Sequence, residues 1–411
     1  MDTFIDHLEI EGGKRVTLPE AIAAQRPGQP LSRCFYTDPA IFQRDLQRMV
    51  LRHWHCAGHI SMVSQPGDFF TVEIGVESVI ITRGTDGEIR GLLNVCRHRG
   101  SRVCIERTGT ARNGFTCPYH AWNYSTNGEL RAARQLPAEF DKTDYGLKQV
   151  HLRVIEGLIF ITFAVQPPGL THVETALRGS MRAYGWAEAK VAHRETFSVT
   201  GNWKLVMENY WECYHCSPAH QEFSRAHAMA RHLYPDPALM AQIFARATAM
   251  GVEITEMDRL APHALPGEET ADSFRSPLVA GFVSGSEDGS PVAPLMGQFT
   301  DYDGGITFSD IGPTSNFLAY ADHGVIYRFM PRTVDRTEME VIWLVRKDAE
   351  EGVDYDLERL TWLWRVTSIA DKRIIELNQQ GVNSAYYEPG PYTPMETWSR
   401  RFVDWYLQEI A

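Results

Sequence analysis

Two short segments each place a thiol beside an imidazole. Cys96-Arg97-His98-Arg99-Gly100 is followed, across residues 99–116, by Cys117-Pro118-Tyr119-His120. A loop that carries both ligand types can offer two donors to one centre, so the two loops together supply two thiolates and two imidazoles. Two chemistries use that set. One is a tetrahedral zinc site, whose usual spacing pairs Cys with Cys and His with His. The other is a [2Fe–2S] cluster with thiolates on one iron and imidazoles on the other. One Cys and one His in each loop suits the cluster. Cys104 lies between the loops and reads as a buried free thiol with no partner cysteine.

A second group follows in the chain. Gly201-Asn202-Trp203-Lys204 opens an expected helix running to Ser217-Pro218, where the proline ends it. Glu212 and His215, three apart, would share a face of that helix. His220 would swing back from the next turn toward the same point. Two histidines and a carboxylate with open coordination positions make the facial triad of non-haem iron oxygenases. An acid is available on a further expected helix, 355–380. At about 100° per residue, Asp371 falls among Leu360, Trp364, Thr367 and Ile374, while Arg365, Lys372 and Glu376 fall on the opposite face. An ionised carboxylate in an apolar stripe is costly unless it is paired or metal-bound. Glu208, one turn before Glu212, is a rival carboxylate. His53, His55, His59, His193, His227 and His232 read as structural or solvated, and His53-x-His55-x3-His59 has no acidic partner.

These residues need two kinds of scaffold. From about 58 to 165 short apolar runs alternate with turn signals. Phe69-Phe70-Thr71-Val72, Ser78-Val79-Ile80-Ile81-Thr82 and Leu158 to Phe163 read as strands, and Gly84-Thr85-Asp86-Gly87 and Asn127-Gly128 as hairpin turns. This is an all-β domain, bounded by Gln166-Pro167-Pro168-Gly169. Residues 1–57 form an N-terminal arm and a helix (40–56), expected to pack with the second domain, 166–411. That domain mixes helices near 173–185, 202–217, 355–380 and 395–409 with strands at 195–200, 316–331 and 338–345. The last helix has a capping box with proline at its first position, Thr393-Pro394-Met395-Glu396. Residues 251–300, rich in Gly, Pro and acidic side chains, are expected to be loops. The fold class is therefore α+β.

The chain has 411 residues, 44% hydrophobic and 22% charged, with a net charge of −12. An acidic balance argues against a nucleic-acid partner. The longest apolar run near a strand, Leu158 to Val165, is far too short to span a bilayer. Met1-Asp2-Thr3-Phe4-Ile5-Asp6 has neither a basic nor an apolar leader segment. A cytoplasmic location is expected, and with it no disulfide framework among the seven cysteines.

The first group resembles the Rieske iron–sulfur motif, Cys-x-His, a spacer and Cys-x2-His, with Arg99-Gly100 and Trp122 also matching the usual flanks. Asn202-Trp203-Lys204 with Glu212-x2-His215-x4-His220 resembles the catalytic motif of Rieske-type aromatic-ring and ammonium oxygenase α-subunits. The resemblance implies that Cys96 and Cys117 hold one cluster iron and that His98 and His120 hold the other. It implies that His215, His220 and Asp371 hold a mononuclear Fe(II), and that Glu212 bridges electron flow from the cluster. Most of the family has Asp at that bridging position. The implied catalytic domain is a helix-grip fold, an antiparallel sheet curved around a long helix. The implied assembly is a homotrimer in which the cluster of one subunit faces the iron of the next.

Such a pair of centres implies reductive activation of O2. The chain shows no Gly-x-Gly-x-x-Gly after a strand, so a separate NAD(P)H-dependent flavin and iron–sulfur reductase is the expected electron donor. Two other classes compete: a purely electron-transferring Rieske protein, and a zinc hydrolase with a structural zinc site. Segments 352–356, 378–382 and 389–392, with Glu212-Cys213-Tyr214-His215-Cys216, resemble glycine betaine and proline betaine oxygenases. This implies oxidation of an N-methyl group on a small quaternary ammonium compound, giving N-demethylation and formaldehyde. The alternative is an aromatic-ring hydroxylating oxygenase.

Overall fold

The computed structural model describes residues 8–10, 14–137, 139–231, 235–256 and 267–411. His232 lies outside them. The chain forms two compact units. One is Arg52–Pro168; the other combines the residues up to Leu51 with Gly169–Ala411.

The Arg52–Pro168 unit is all-β. Its seven-stranded antiparallel sheet runs in the order His55–His59, Leu158–Thr162, Gln149–Ile155, Ile89–Leu93, Glu77–Arg83, Asp68–Ile74, Thr108–Thr110. The unit starts before residue 58 because His55–His59 pairs with Leu158–Thr162 as an edge strand of this sheet. A small second sheet of Leu130–Ala132, Asn123–Tyr124 and Phe115–Thr116 carries the second Cys/His loop on its hairpins. Between the two sheets Cys96, Cys117, Trp122, Tyr124 and Phe115 share one buried cluster.

The other unit is built on a six-stranded antiparallel sheet. Its order is Ala189–Val199, Arg336–Arg346, Gly324–Thr333, Ser315–Ala319, Gly305–Ile311, Ala271–Pro277. The 26-residue helix Leu357–Val382 lies against it, begun by Asp356, whose side chain accepts from Arg359 N. The Tyr327 hydroxyl of the sheet lies 2.8 Å from Ser368 Oγ and donates to the Trp364 carbonyl at 3.3 Å, which fixes the helix to the sheet. The N-terminal helical segment joins this unit: Arg44 donates to the Ile410 carbonyl at 2.6 Å and the Ala411 carbonyl at 2.9 Å. The result is an α+β chain with a helix gripped by an antiparallel sheet. Among the described residues no helix is long and apolar enough to cross a membrane.

Three expectations change. The helix expected over 202–217 is interrupted: Trp203–Tyr210 stops, and a short helix resumes at Cys216–Ala219 with Pro218 inside it. A strand, Ala271–Pro277, crosses the stretch expected to be loops, pairing residue for residue with Gly305–Ile311. The expected strand 316–331 is a hairpin, with Ser315–Ala319 and Gly324–Thr333 paired across a turn.

Candidate metal centres

The two Cys/His loops are built alike. In the first, Cys96 N donates to the Ser101 carbonyl and Gly100 N to the Cys96 carbonyl. In the second, Cys117 N donates to the Trp122 carbonyl and Ala121 N to the Cys117 carbonyl. Each loop turns on a residue in the left-handed region, Gly100 at φ 78° and Ala121 at φ 59°. For alanine that conformation costs about 1–2 kcal/mol, so the second loop is held by its surroundings. Cys96 and Cys117 are buried, whereas His98 and His120 are exposed. The two imidazole centroids are 4.6 Å apart, and His98 stacks on Trp122 at 4.9 Å with 9° between planes. Buried thiols beneath two adjacent outward imidazoles fit a cluster with its thiolate iron inside and its imidazole iron at the surface. Tyr124, which sequence reasoning passed over, places its hydroxyl 3.3 Å from Cys96 Sγ and accepts from Arg97 N. Cys104 is free, and burial pushes its thiol up to about 11.

The second group meets where the interrupted helix, the next turn and the long helix converge. Asn202 starts the first helix by accepting from Lys204 N at 3.0 Å. Buried Lys204 then pairs with buried Asp45. The helix stops before Glu212 because that side chain serves the backbone instead. Glu212 Oε2 accepts from the amides of Tyr214 and His215, and Oε1 contacts His215 Nδ1. Glu212 and His215 therefore share a turn, not a helix face. Cys213 and Cys216 close the same turn with a disulfide, a bond the expectation of no disulfide framework did not foresee, and among the described residues no other disulfide forms.

His215, His220 and Asp371 bring one ligand atom each within 4.8 Å of one another. Asp371 Oδ1 lies 2.9 Å from His220 Nε2 and 3.4 Å from His215 Nε2. Burial opposes charge on Asp371, but hydrogen bonds from both histidines outweigh it and hold the carboxyl down at about 2. Burial likewise opposes charge on His215; Asp371 and Glu212 overcome it and raise the imidazole to about 10. Glu212 stands behind His215 on Nδ1, whereas Glu222 Oε1 lies 3.4 Å from His220 Nδ1 with no hydrogen bond between them. A carboxylate on Nδ1 fixes the tautomer and turns Nε2 toward a metal, so this donor set fits a two-histidine, one-carboxylate iron site. Glu208, the rival acid, points elsewhere. Its carboxylate accepts from Tyr36 at 2.7 Å and Tyr392 at 2.6 Å.

His215, His220 and Asp371 stand in the wall of a cavity of about 1140 Å³, open mouth included. Tyr210, Phe223, Tyr327, Phe329 and Trp364 supply aromatic walls, and Asp272 and Asp310 two more carboxylates. The rings hold one another edge-on: Tyr327 and Trp364 have centroids 5.8 Å apart at 77°, Phe223 and Trp364 5.7 Å at 64°. His227 is buried against Tyr320, and His193 packs on Trp343. His53, His55 and His59 are buried in the other unit.

Residues 53–151 match the Rieske [2Fe-2S] domain, and 186–411 match the ring hydroxylating alpha subunit catalytic domain. The chain belongs to the ring-hydroxylating α-subunit family: it is a Rieske non-haem iron monooxygenase with a [2Fe–2S] cluster and a mononuclear iron. A glycine betaine monooxygenase oxygenase subunit of Pseudomonas aeruginosa is 36% identical over 384 residues, 92% of this chain and 89% of that protein. A carnitine monooxygenase oxygenase subunit of Escherichia coli is 38% identical over 197 residues, 46% of this chain and 52% of that protein. The solved quaternary ammonium Rieske monooxygenase studied for carnitine oxidation and inter-subunit electron transfer superposes with a TM-score of 0.71. It is 21% identical and covers 95% of this chain and 98% of its own. Naphthalene 1,2-dioxygenase with indole bound gives 0.64 at 20% identity, covering 92% and 91%. At those identities the likeness is one of fold.

Proposed function

We propose that this chain is the oxygenase component of a multicomponent system that oxidises an N-methyl group of a small quaternary ammonium compound, releasing formaldehyde. The observation that carries the reading is the convergence of His215, His220 and Asp371 on the wall of an aromatic, carboxylate-bearing cavity. The similarity to glycine betaine monooxygenase subunits over nine-tenths of the chain supports the substrate class. In this reading His215, His220 and Asp371 hold the iron, and Cys96, His98, Cys117 and His120 hold the cluster. When bound, the cluster supplies electrons singly and the iron supplies the O2 chemistry.

The chain's own residues do the rest. Glu212 orients the His215 imidazole through Nδ1. Asp371, ionised at neutral pH, completes the ligand set. Tyr327 and Trp364 line the cavity, and the hydroxyl of Tyr327 is tied down by Ser368, so this wall is set before substrate enters. A methylated ammonium head has no hydrogen-bond donor and is held by aromatic faces, at about 0.5–2 kcal/mol per ring. Glu212 links His215 to electrons arriving from a cluster. In a homotrimer that cluster belongs to the neighbouring subunit, whose exposed imidazoles suit docking. A separate NAD(P)H-dependent flavin and iron–sulfur reductase feeds it. Oxygen uptake with a surrogate reductase and a panel of methylammonium and aromatic compounds tests the reading. Uptake coupled only to arenes would replace it with aromatic-ring hydroxylation.

A further inference from the structure

The turn that carries Glu212 and His215 is closed by a bond that the proposed reaction does not use. Cys213 and Cys216 form a disulfide with Cα atoms 4.8 Å apart. His215 and the exposed Tyr214 lie inside the ring it closes, and Glu212 immediately precedes it. Both cysteines line the cavity that contains Asp371 and His220, and they are 9% and 5% exposed. A staple over four residues is a poor way to stabilise a whole domain, because the entropy a disulfide removes grows with the loop it closes. Its effect is local, and the locality is specific. The amides of Tyr214 and His215, which Glu212 accepts from, sit between the two sulfurs in the chain.

We propose that Cys213 and Cys216 are a redox-responsive dithiol–disulfide pair that sets how rigidly this turn holds Glu212 and His215; its bearing on the metal rests on the reading of His215 as an iron ligand. The disulfide fixes the turn and the dithiol loosens it. The oxidant is hydrogen peroxide, the two-electron reduction product of O2, formed whenever O2 is reduced without substrate being oxidised. One sulfur attacks a peroxide oxygen, the O–O bond breaks, and a sulfenic acid and a water result. The second sulfur then attacks the first, the S–S bond forms, the S–O bond breaks, and a second water leaves. Two thiols and one peroxide become one disulfide and two waters. Thiol–disulfide exchange with a small dithiol returns the pair to its reduced form.

The holoenzyme, treated with hydrogen peroxide or with a phosphine reductant, is alkylated and mapped by mass spectrometry, and amide hydrogen exchange is followed across residues 211–220. The peroxide-treated sample is expected to lose two alkylatable thiols, with Cys213 and Cys216 linked. The Tyr214 and His215 amides are expected to exchange about tenfold faster in the reduced sample, the local opening being less costly there. The double variant Cys213→Ser, Cys216→Ser is expected to exchange like the reduced protein under both treatments. Cys213 and Cys216 both still alkylatable after peroxide, equal exchange in both states, or a peroxide response surviving at this turn in the double variant would each overturn the proposal. Iron analysis of His215→Ala separates the two readings: retained iron would remove the ligand role and leave the thiol and exchange results standing.

Discussion

His220 Nε2 lies 2.9 Å from Asp371 Oδ1, across 151 positions of sequence. A long helix laid on an antiparallel sheet closes that distance, and Asp371 reaches the histidines because it stands one turn beyond Thr367 and two beyond Trp364 on the face that lines the cavity. A half-buried carboxylate between two imidazoles is a ready cation site, and in the proposed reading a metal held by all three would occupy it.

Asp371→Ala and His215→Ala are each expected to lower the mononuclear iron content to roughly a tenth or less, since each removes one of the three proposed protein ligands. The cluster's absorption and EPR spectra should be unchanged, because Cys96, His98, Cys117 and His120 are untouched. Iron and acid-labile sulfide analysis checks both halves. Full iron in Asp371→Ala would mean that another acid is the ligand.

Glu212→Gln keeps the size of the side chain and loses the charge on His215 Nδ1. Both metal centres should be retained, and turnover should fall about 10–100-fold, the usual effect of altering a partner of a metal-bound histidine. Steady-state oxygen uptake at matched iron content measures it. Near-normal turnover would remove the bridging role.

Where the chemistry needs neighbours in sequence, these centres could be read directly. A loop must carry its own Cys and His, so the cluster motif was legible, and Asp371 betrayed itself by its phase on an apolar helix face. The turn at Glu212 was not legible, because an i, i+3 pair looks the same on a helix as in a turn capped by its own carboxylate. The disulfide depends on that turn and was hidden with it. Ala271–Pro277 was masked by its Gly- and Pro-rich flanks, although pairing with Gly305–Ile311 decides it as a strand. The aromatic walls come from strands and helices whose residues, Tyr210 and Trp364 among them, lie as much as 154 positions apart, and no local pattern reports a cavity.

Glu208 predicts a pH dependence of stability. Burial raises its carboxyl from 4.5 to about 7, against hydrogen bonds from Tyr36 and Tyr392 that lower it. Between those values the native protein holds a proton that the unfolded chain has lost. The stabilising contribution is thus fully present below 4.5 and is lost as pH rises through about 7. The loss amounts to about 3 kcal/mol at 1.36 kcal/mol per unit. Glu208→Gln, which cannot ionise, should lack this slope in chemical denaturation at pH 5 and pH 8. Parallel profiles would place the carboxyl in a hydrated, ordinary environment.

Tyr124→Phe removes the hydroxyl 3.3 Å from Cys96 Sγ. A hydrogen bond to a ligand sulfur stabilises the reduced, more negative cluster. The midpoint potential should therefore fall while sulfide content stays constant, as measured by redox titration. An unchanged potential would show that the hydroxyl acts only on the Arg97 amide.

The most direct test of the whole account is formaldehyde measured against O2 consumed by the reconstituted holoenzyme with glycine betaine, proline betaine or carnitine, beside simple arenes. Formaldehyde formed in near-equal amount to O2 from at least one methylammonium compound, and abolished in Asp371→Ala, is the predicted result. Ring-oxidised product from an arene, with no formaldehyde from any methylammonium compound, would contradict the substrate assignment.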